Sequence, residues 1–93
     1  MVYDRKKFLV HNEEIAKKLT IIRKNRSISQ LQLGKKLQKP QSYVSKVELG
    51  LKQICFVELC EYLNKLEVDL EEFISNLSFV KKWINTFYLF CTL

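Results

Sequence analysis

The feature that most constrains this chain is a pair of short helices whose ends are marked by capping residues. Ser29 and Gln32 have the spacing of a capping box, in which each side chain bonds to the backbone N–H of the other residue. Ile28 precedes the cap and Leu33 follows it in the register of a hydrophobic staple. These signals predict a helix over residues 29–37.

The single proline separates this helix from the next one. The residue before a proline is disfavoured in helical conformation, whereas proline suits a helix start, so Lys39-Pro40 ends one helix and opens another. Gly50 suits the left-handed residue that ends a helix, which predicts a second helix over residues 41–49. A gap of about three residues is typical of a helix-turn-helix unit, in which the two helices meet at a steep angle.

The second helix of this pair has an inward side and an outward side. We take Val44 as inward; the 3.6-residue period then places three residues on the same side: Val47, Glu48 and Leu51. The opposite side carries Ser42, Ser45, Lys46 and Leu49. A carboxylate directed at the interior needs a cation, because an unpaired buried charge is strongly destabilising. Arg23, near the end of the preceding helix, is the candidate partner.

A longer amphipathic helix precedes this pair and ends near Asn25. Its apolar face is formed by residues that recur at helical spacing: Ile15, Leu19 and Ile22. Two starts fit the sequence. Asn12 can cap the helix just before two glutamates, or Asp4 can cap a longer helix that brings Phe8 onto the same face.

Two further helices follow the pair. The fourth is indicated by apolar residues at helical spacing: Phe56, Leu59, Cys60, Leu63 and Leu66. Tyr62 lies alongside them. The fifth opens with Asp69 and Glu72 at capping-box spacing, and Val68 can form a staple with Phe73. Because the chain has only two glycines and one proline, five helices with short links predict an all-α bundle.

The chain ends in an aromatic-rich segment, residues 78–93, which we separate from a domain of residues 1–77. If it is helical, i, i+4 pairs give it a broad apolar stripe: Phe79, Val80, Trp83, Ile84, Phe87 and Tyr88. Residues 87–93 could instead form a strand, because they are aromatic-rich and uncharged. This surface must be covered by the bundle or by another subunit. We favour a dimer interface that uses Phe79, Trp83, Phe87 and Tyr88.

Charge is distributed unevenly along the chain. Residues 1–53 hold 13 Lys and Arg against 4 Asp and Glu, whereas residues 54–93 hold 3 against 6. The basic half either meets a polyanion or only aids solubility. The most apolar stretch, residues 79–93, is interrupted by Lys81 and Lys82 and is shorter than the ~20 residues of a membrane-spanning helix. No membrane partner is therefore predicted.

Few residues of this chain could carry metal or enzyme chemistry. The chain has three cysteines: Cys55, Cys60 and Cys91. They form no C-x-x-C pair, and His11 lies far from them in sequence, so the pattern does not predict a zinc site. They are typical of small core hydrophobes in a reduced cytoplasm, where we expect the protein to act. With a single histidine and no glycine-rich phosphate loop in the sequence, we predict neither an enzyme nor a cofactor.

These helix boundaries resemble those of the Cro/repressor-type helix-turn-helix family of phage repressors and bacterial regulators. The resemblance covers residues 15–74 and rests on Ser29-Gln30, SYVSKVE and VDLEEF, with the spacing of Gln30, Leu33, Val44, Glu48 and Gly50. It implies a five-helix, lambda-repressor-like domain that acts as a sequence-specific transcriptional regulator: a repressor, an antitoxin or a restriction controller. The alternative is a protein–protein interaction module on the same fold that uses the aromatic tail.

The resemblance also assigns roles to individual positions. Gln30 matches a phosphate contact, and Gln41 and Ser42 match residues that reach base edges in the major groove. Ser45 and Lys46 lie on the same exposed face. Lys52 and Gln53 match a loop that touches backbone phosphates, and Arg23 and Glu48 match a buried ion pair. Lys39 would add non-specific attraction to DNA, while Tyr43 would touch a phosphate or a thymine methyl group, or only pack against its neighbours.

Some residues depart from the family pattern. Gln38 and Glu67 stand where glycine is frequent in a left-handed turn, a conformation that costs a side chain roughly 1 kcal/mol. Leu49 replaces a frequent basic residue. Gly34 costs ~1 kcal/mol in a helix relative to alanine, which suggests that another helix approaches closely there.

The expected partner is double-stranded DNA. A single module of this size buries too little surface for a tight specific complex, so we expect a homodimer on a palindromic operator with half-sites ~34 Å apart. An antitoxin role would add a protein partner.

Overall fold

The computed structural model describes residues 5–83, which form helices and contain no β-strand. In chain order the helices are α1 (Arg5–Asn25), α2 (Gln30–Leu37), α3 (Gln41–Glu48), α4 (Phe56–Lys65) and α5 (Leu70–Ser75). Residues 78–83 are also helical and are called α6. The all-α prediction is confirmed, whereas the strand alternative for residues 87–93 lies outside the described residues.

α1 is the longer of the two helices that the sequence allowed. It is already helical at Arg5, so Asn12 is an interior residue and not its cap. Asp4 lies outside the described residues. The buried residues of α1 fall in its second half, at Ala16, Leu19 and Arg23. The first turns of α1 therefore extend away from the main core.

The core lies where α1, α2, α3 and α4 meet. Its fully buried members with the largest side chains are Tyr62, Leu19, Leu33, Leu63, Leu66 and Val44. Phe73 and Leu77 close it from the C-terminal side. Phe56, which the periodicity assigned to the fourth helix, is 64% exposed because it lies in the first turn of α4, before the helix reaches the core.

The start of α2 has the predicted cap. The Ser29 side chain accepts from the backbone N–H of Gln32 at 3.0 Å, and the Gln32 side chain accepts from the backbone N–H of Ser29 at 2.8 Å. Ile28 packs against the core. At the start of α5, Asp69 accepts from the backbone N–H of Glu72 at 3.3 Å. These local bonds satisfy backbone donors that a helix start otherwise leaves unpaired.

Left-handed residues end several of the helices. Gln38 has φ 57° at the C-cap of α2, and Glu67 has φ 58° after α4, as the positions of these residues predicted. Gly50, with φ 74°, follows α3. Ser27, with φ 57°, adopts the same conformation after α1, and nothing in the sequence singled it out.

Gly34 is needed for the tight turn between α2 and α3. A Cβ at this position would lie 2.8 Å from the backbone oxygen of Lys39 and 3.4 Å from the backbone nitrogen of Gln41. The close approach is therefore made by the turn and the start of α3, which corrects in part the expectation of a helix–helix contact. The same turn is closed by a backbone bond from Lys39 N–H to Gly34 O at 2.9 Å.

α6 packs along α1. Glu14 accepts from both the backbone N–H and the hydroxyl of Ser78, at 2.8 and 2.7 Å. The ring of Phe79 stacks on His11 with a centroid distance of 4.2 Å, and Trp83 meets the same two rings edge-on. Lys18 donates to the backbone oxygen of Asn76. The start of the aromatic segment is thus joined to the bundle within one chain.

These contacts bear on the residues suggested for a dimer interface. Phe79 and Val80 are partly buried against the same core as the preceding helices. Trp83 remains 57% exposed. Phe87 and Tyr88 lie outside the described residues. Among residues 5–83, no helix combines the length and the apolar character that crossing a bilayer requires.

Candidate nucleic-acid interface

α3 turns one face to the core and presents the other to solvent. Val44 and Val47 are buried, whereas Gln41, Ser42 and Lys46 are exposed. Ser45 is half-buried at the edge between the two faces. Because Gln41 and Ser42 form the first turn of α3, its N-terminal end carries a small polar surface held by an apolar base.

Leu51 does not lie on the inward side, where the helical period placed it. α3 ends at Glu48, so the period does not extend to this residue, and Leu51 is 75% exposed. Leu49, the C-cap of α3, is exposed as well. The chain after α3 is held by bonds from the backbone N–H groups of Leu51 and Lys52 to Lys46 O, at 2.9 and 3.2 Å.

An internal ion pair anchors α3 to α1. The Nε of Arg23 lies 2.6 Å from one carboxylate oxygen of Glu48 and 3.2 Å from the other. The exposed fractions of the two side chains are only 10% and 5%. Arg23 also donates from Nη1 to the backbone oxygen of Ile28 at 2.6 Å. One guanidinium therefore joins α1, the approach to α2 and the inner face of α3.

Hydrogen bonds continue from this buried pair to the surface. The side-chain Nε2 of Gln30 donates to Glu48 at 3.3 Å. The side-chain oxygen of Gln30 accepts from Nε2 of Gln41 at 3.4 Å. Gln30 thus links the buried carboxylate to an exposed side chain at the start of α3. Sequence reasoning named all three residues but did not predict that they form one network.

Tyr43 is held at the edge of α3 by a residue of α4. Its hydroxyl donates to Glu58 at 2.7 Å. The ammonium groups of Lys39 and Lys52 lie 5.5 and 5.7 Å from the centre of its ring, within the range of cation–π attraction. Lys52 is also ion-paired with Glu58 at 3.4 Å. Tyr43, Lys39 and Lys52 are thus brought together.

Glu58 is a site residue that sequence reasoning missed. It stands in the first turn of α4 and accepts from the backbone N–H of Cys55 at 3.3 Å. The hydrogen bond from Tyr43, followed by bonds from Cys55, lowers the pKa of Glu58 to about 2. Burial and the bond to Glu58 raise the pKa of Tyr43. At neutral pH the carboxylate is charged and the phenol keeps its proton.

The loop after α3 completes this surface. Gly50 O accepts from the side chain of Asn12 in α1 at 3.3 Å, which ties the loop to the long helix. Gln53 is exposed, and Lys52 is half-buried. Lys39, the α3 residues Gln41, Ser42 and Lys46, and the loop residue Gln53 are thus all exposed polar or basic side chains.

The same segment of the chain matches a family model. The model of the helix-turn-helix family matches residues 19–73, which run from the second half of α1 into α5 and make up more than half of the chain. No individually curated protein matches the chain. The matched residues contain the whole α2–turn–α3 unit and the buried pair beneath it. The chain therefore belongs to the Cro/repressor-type helix-turn-helix family and is a DNA-binding regulator of that class.

Proposed function

We propose that this protein is a sequence-specific transcriptional regulator that places the N-terminal end of α3 in the major groove. A B-DNA major groove is ~12 Å wide and admits one helix. The observation that carries the proposal is the division of α3 into an exposed polar face and a fixed inner face. Gln41 and Ser42 lie on the first face, whereas Val44 and Glu48 hold the second.

Gln41 is proposed as the main base-reading residue. A glutamine side chain can donate to and accept from adenine at once, and such a pair is worth ~1–3 kcal/mol of discrimination. The bond from Gln41 to Gln30 limits the orientations that its amide adopts before DNA binds. Ser42 and Ser45 discriminate less, because a hydroxyl pairs with any base.

Phosphate contacts are proposed for residues around α3. Lys46 and Lys39 are exposed and would add salt-dependent attraction, and Lys52 and Gln53 would meet the backbone from the loop. The Nε2 of Gln30 carries two hydrogens, one of which is donated to Glu48. Its second hydrogen is the one that a phosphate would accept.

Dimeric binding is part of the proposal. Two copies on half-sites ~34 Å apart would double the contact surface and explain how a module of this size binds one operator tightly. Repression in the cytoplasm by blocking a promoter is the simplest consequence. Trp83 supports a role of α6 in pairing, because its side chain remains mostly exposed although its ring contacts those of Phe79 and His11.

A protein partner is the second candidate, and the same exposed tryptophan favours it. An antitoxin-like protein would use Trp83 to bind another protein in place of a second copy. Trp83→Ala, studied by size-exclusion chromatography with light scattering, separates these uses. A dimeric parent and a monomeric variant support pairing through α6, whereas an unchanged mass removes Trp83 from the interface.

The test of DNA reading uses duplexes selected by the parent protein from a random pool. We expect Gln41→Ala to lose preference at one base position and Lys46→Ala to weaken binding to all duplexes. Lys24→Ala is the matched control, because Lys24 is an exposed lysine that belongs to α1 and not to α3. If the Gln41 and Lys46 variants bind every duplex as the parent does, the assignment of α3 is wrong.

A further inference from the structure

Glu58 reaches from α4 to the surface that α3 presents. Its carboxylate accepts from the Tyr43 hydroxyl at 2.7 Å and lies 3.4 Å from the ammonium of Lys52. Both partners belong to the surface proposed to meet DNA, whereas Glu58 carries the charge that DNA repels. The charge of an acid in this place opposes phosphate binding. Its presence at this surface therefore suggests that it has another role.

We propose that Glu58 is a positioning residue of the DNA interface, which neutralises Lys52 and orients the Tyr43 hydroxyl so that it accepts a hydrogen bond from a base. The inference rests on the proposed function and assigns the role of one residue within that site. Its two parts concern different contacts and can be tested separately.

The first part concerns the charge of Lys52. A lysine that binds phosphate contributes through release of counterions, which makes the affinity depend on salt. Lys52 is already paired with a carboxylate and is half-buried, so a phosphate has to compete with Glu58 for it. Lys46 is exposed and unlike Lys52 is not ion-paired with Glu58. Lys52 therefore adds less salt-dependent affinity than its charge implies.

The second part concerns the hydroxyl of Tyr43. A phenol has one hydrogen to donate and lone pairs that accept. Its hydrogen is used by Glu58, which remains charged at neutral pH because its pKa is about 2. The hydroxyl can then accept but cannot donate. A phosphate offers only acceptors, whereas the amino groups of adenine and cytosine in the major groove are donors. The contact with Glu58 thus favours a base over a phosphate as the partner of Tyr43.

The experiment compares three full-length variants on two duplexes, the one selected by the parent and one of unrelated sequence. Glu58→Gln keeps an acceptor for Tyr43 but removes the charge that neutralises Lys52. Tyr43→Phe keeps the ring but removes the hydroxyl. Glu61→Gln makes the same change of charge one turn further along α4, at an exposed residue. Affinity is measured by fluorescence anisotropy over a range of salt concentrations.

We expect Glu58→Gln to steepen the slope of log affinity against log salt by ~0.9 on both duplexes, as one added phosphate contact does. If the variant and the parent bind equally at 1 M salt, this steeper slope makes the variant bind about eightfold more tightly than the parent at 0.1 M salt. Tyr43→Phe should leave the slope unchanged and lower the ratio of selected to unrelated affinity by about 2- to 10-fold. Glu61→Gln should change neither quantity.

Each alternative outcome contradicts a defined part of the inference. Equal slopes for Glu58→Gln and the parent would show that Glu58 does not restrain Lys52. Equal steepening by Glu61→Gln would mean that only overall charge matters. A selectivity unchanged in Tyr43→Phe would remove the base contact. If the parent itself enriches no sequence from the pool, the proposed function has failed. None of the three outcomes above implies that failure, so the two failures can be told apart. Thermal melts of the variants establish that each is folded.

Discussion

Replacing Glu48 with alanine should strongly destabilise the protein. The substitution leaves the guanidinium of Arg23 buried without the carboxylate that lies 2.6 Å from its Nε. The bond from Nη1 to Ile28 O at 2.6 Å remains, but a neutral carbonyl does not compensate a full charge. The variant also removes the acceptor of Gln30. The loss is therefore one of charge compensation inside the protein and not of a surface contact.

The magnitude follows from the burial of the pair. Breaking a buried ion pair by removing one partner costs about 3–5 kcal/mol, because the other charge stays buried and unpaired. A domain of this size is stable by roughly 5–14 kcal/mol in total. The variant should thus lose about a fifth of its stability at the least, and more if the parent is less stable. At ~5 °C per kcal/mol, the midpoint of thermal unfolding should fall by roughly 15–25 °C.

Urea denaturation followed by far-UV circular dichroism measures this loss. Glu48→Gln is the matched control: it keeps an oxygen that can accept from Nε, so its cost should be smaller, about 1.5–3 kcal/mol. The double variant Arg23→Met/Glu48→Met removes both charges, and it leaves Ile28 O without its donor and Gln30 Nε2 without its acceptor. It should be more stable than Glu48→Ala. A cost below about 1 kcal/mol for Glu48→Ala, or a double variant no more stable than Glu48→Ala, would refute this reasoning.

Two further predictions concern the turn after α2 and the attachment of α6. Gln38→Gly should raise the free energy of unfolding by about 0.5–1 kcal/mol, because Gln38 is left-handed and exposed. As a control, Glu61→Gly in the helical part of α4 should lower the free energy of unfolding. A Gln38→Gly variant less stable than the parent would contradict this prediction. Glu14→Gln should weaken the contact with Ser78 and change the fluorescence of Trp83, the single tryptophan. The bonds from Ser78 lower the pKa of Glu14 below its ordinary 4.5. The carboxylate therefore stabilises α6 fully above pH ~4.5 and loses this effect as the pH falls through the lowered pKa. The parent should show an acid transition in Trp83 fluorescence that the variant lacks, and an identical transition in both would exclude Glu14 as its cause.

Much of the fold could be predicted because its signals are local. The cap at Ser29, the break at Pro40 and the stop at Gly50 involve residues within a few positions of one another, so spacing alone reveals them. The left-handed conformation of Gln38 was predicted from the family pattern, but that of Ser27 was not. A serine gives no signal that separates an αL turn from any other turn.

The pairing of Arg23 with Glu48 could be inferred across 25 positions because a buried carboxylate demands a cation and few are placed to supply one. Glu58 could not be found in the same way. It lies in the first turn of α4, where an acid is common for reasons of helix capping alone. Its contact with Tyr43 depends on the angle at which α4 meets α3.

The sequence by itself determined the helices, their order and the polar face of α3, since periodicity, capping and turn chemistry act over one or two turns of chain. Only the tertiary structure decided which outward side chains are already engaged. Gln30 is bonded to Glu48 and Gln41, Tyr43 and Lys52 are held by Glu58, and Glu14 holds the start of α6. These contacts form only when helices distant in sequence pack together, and no local pattern specifies the packing angles that create them.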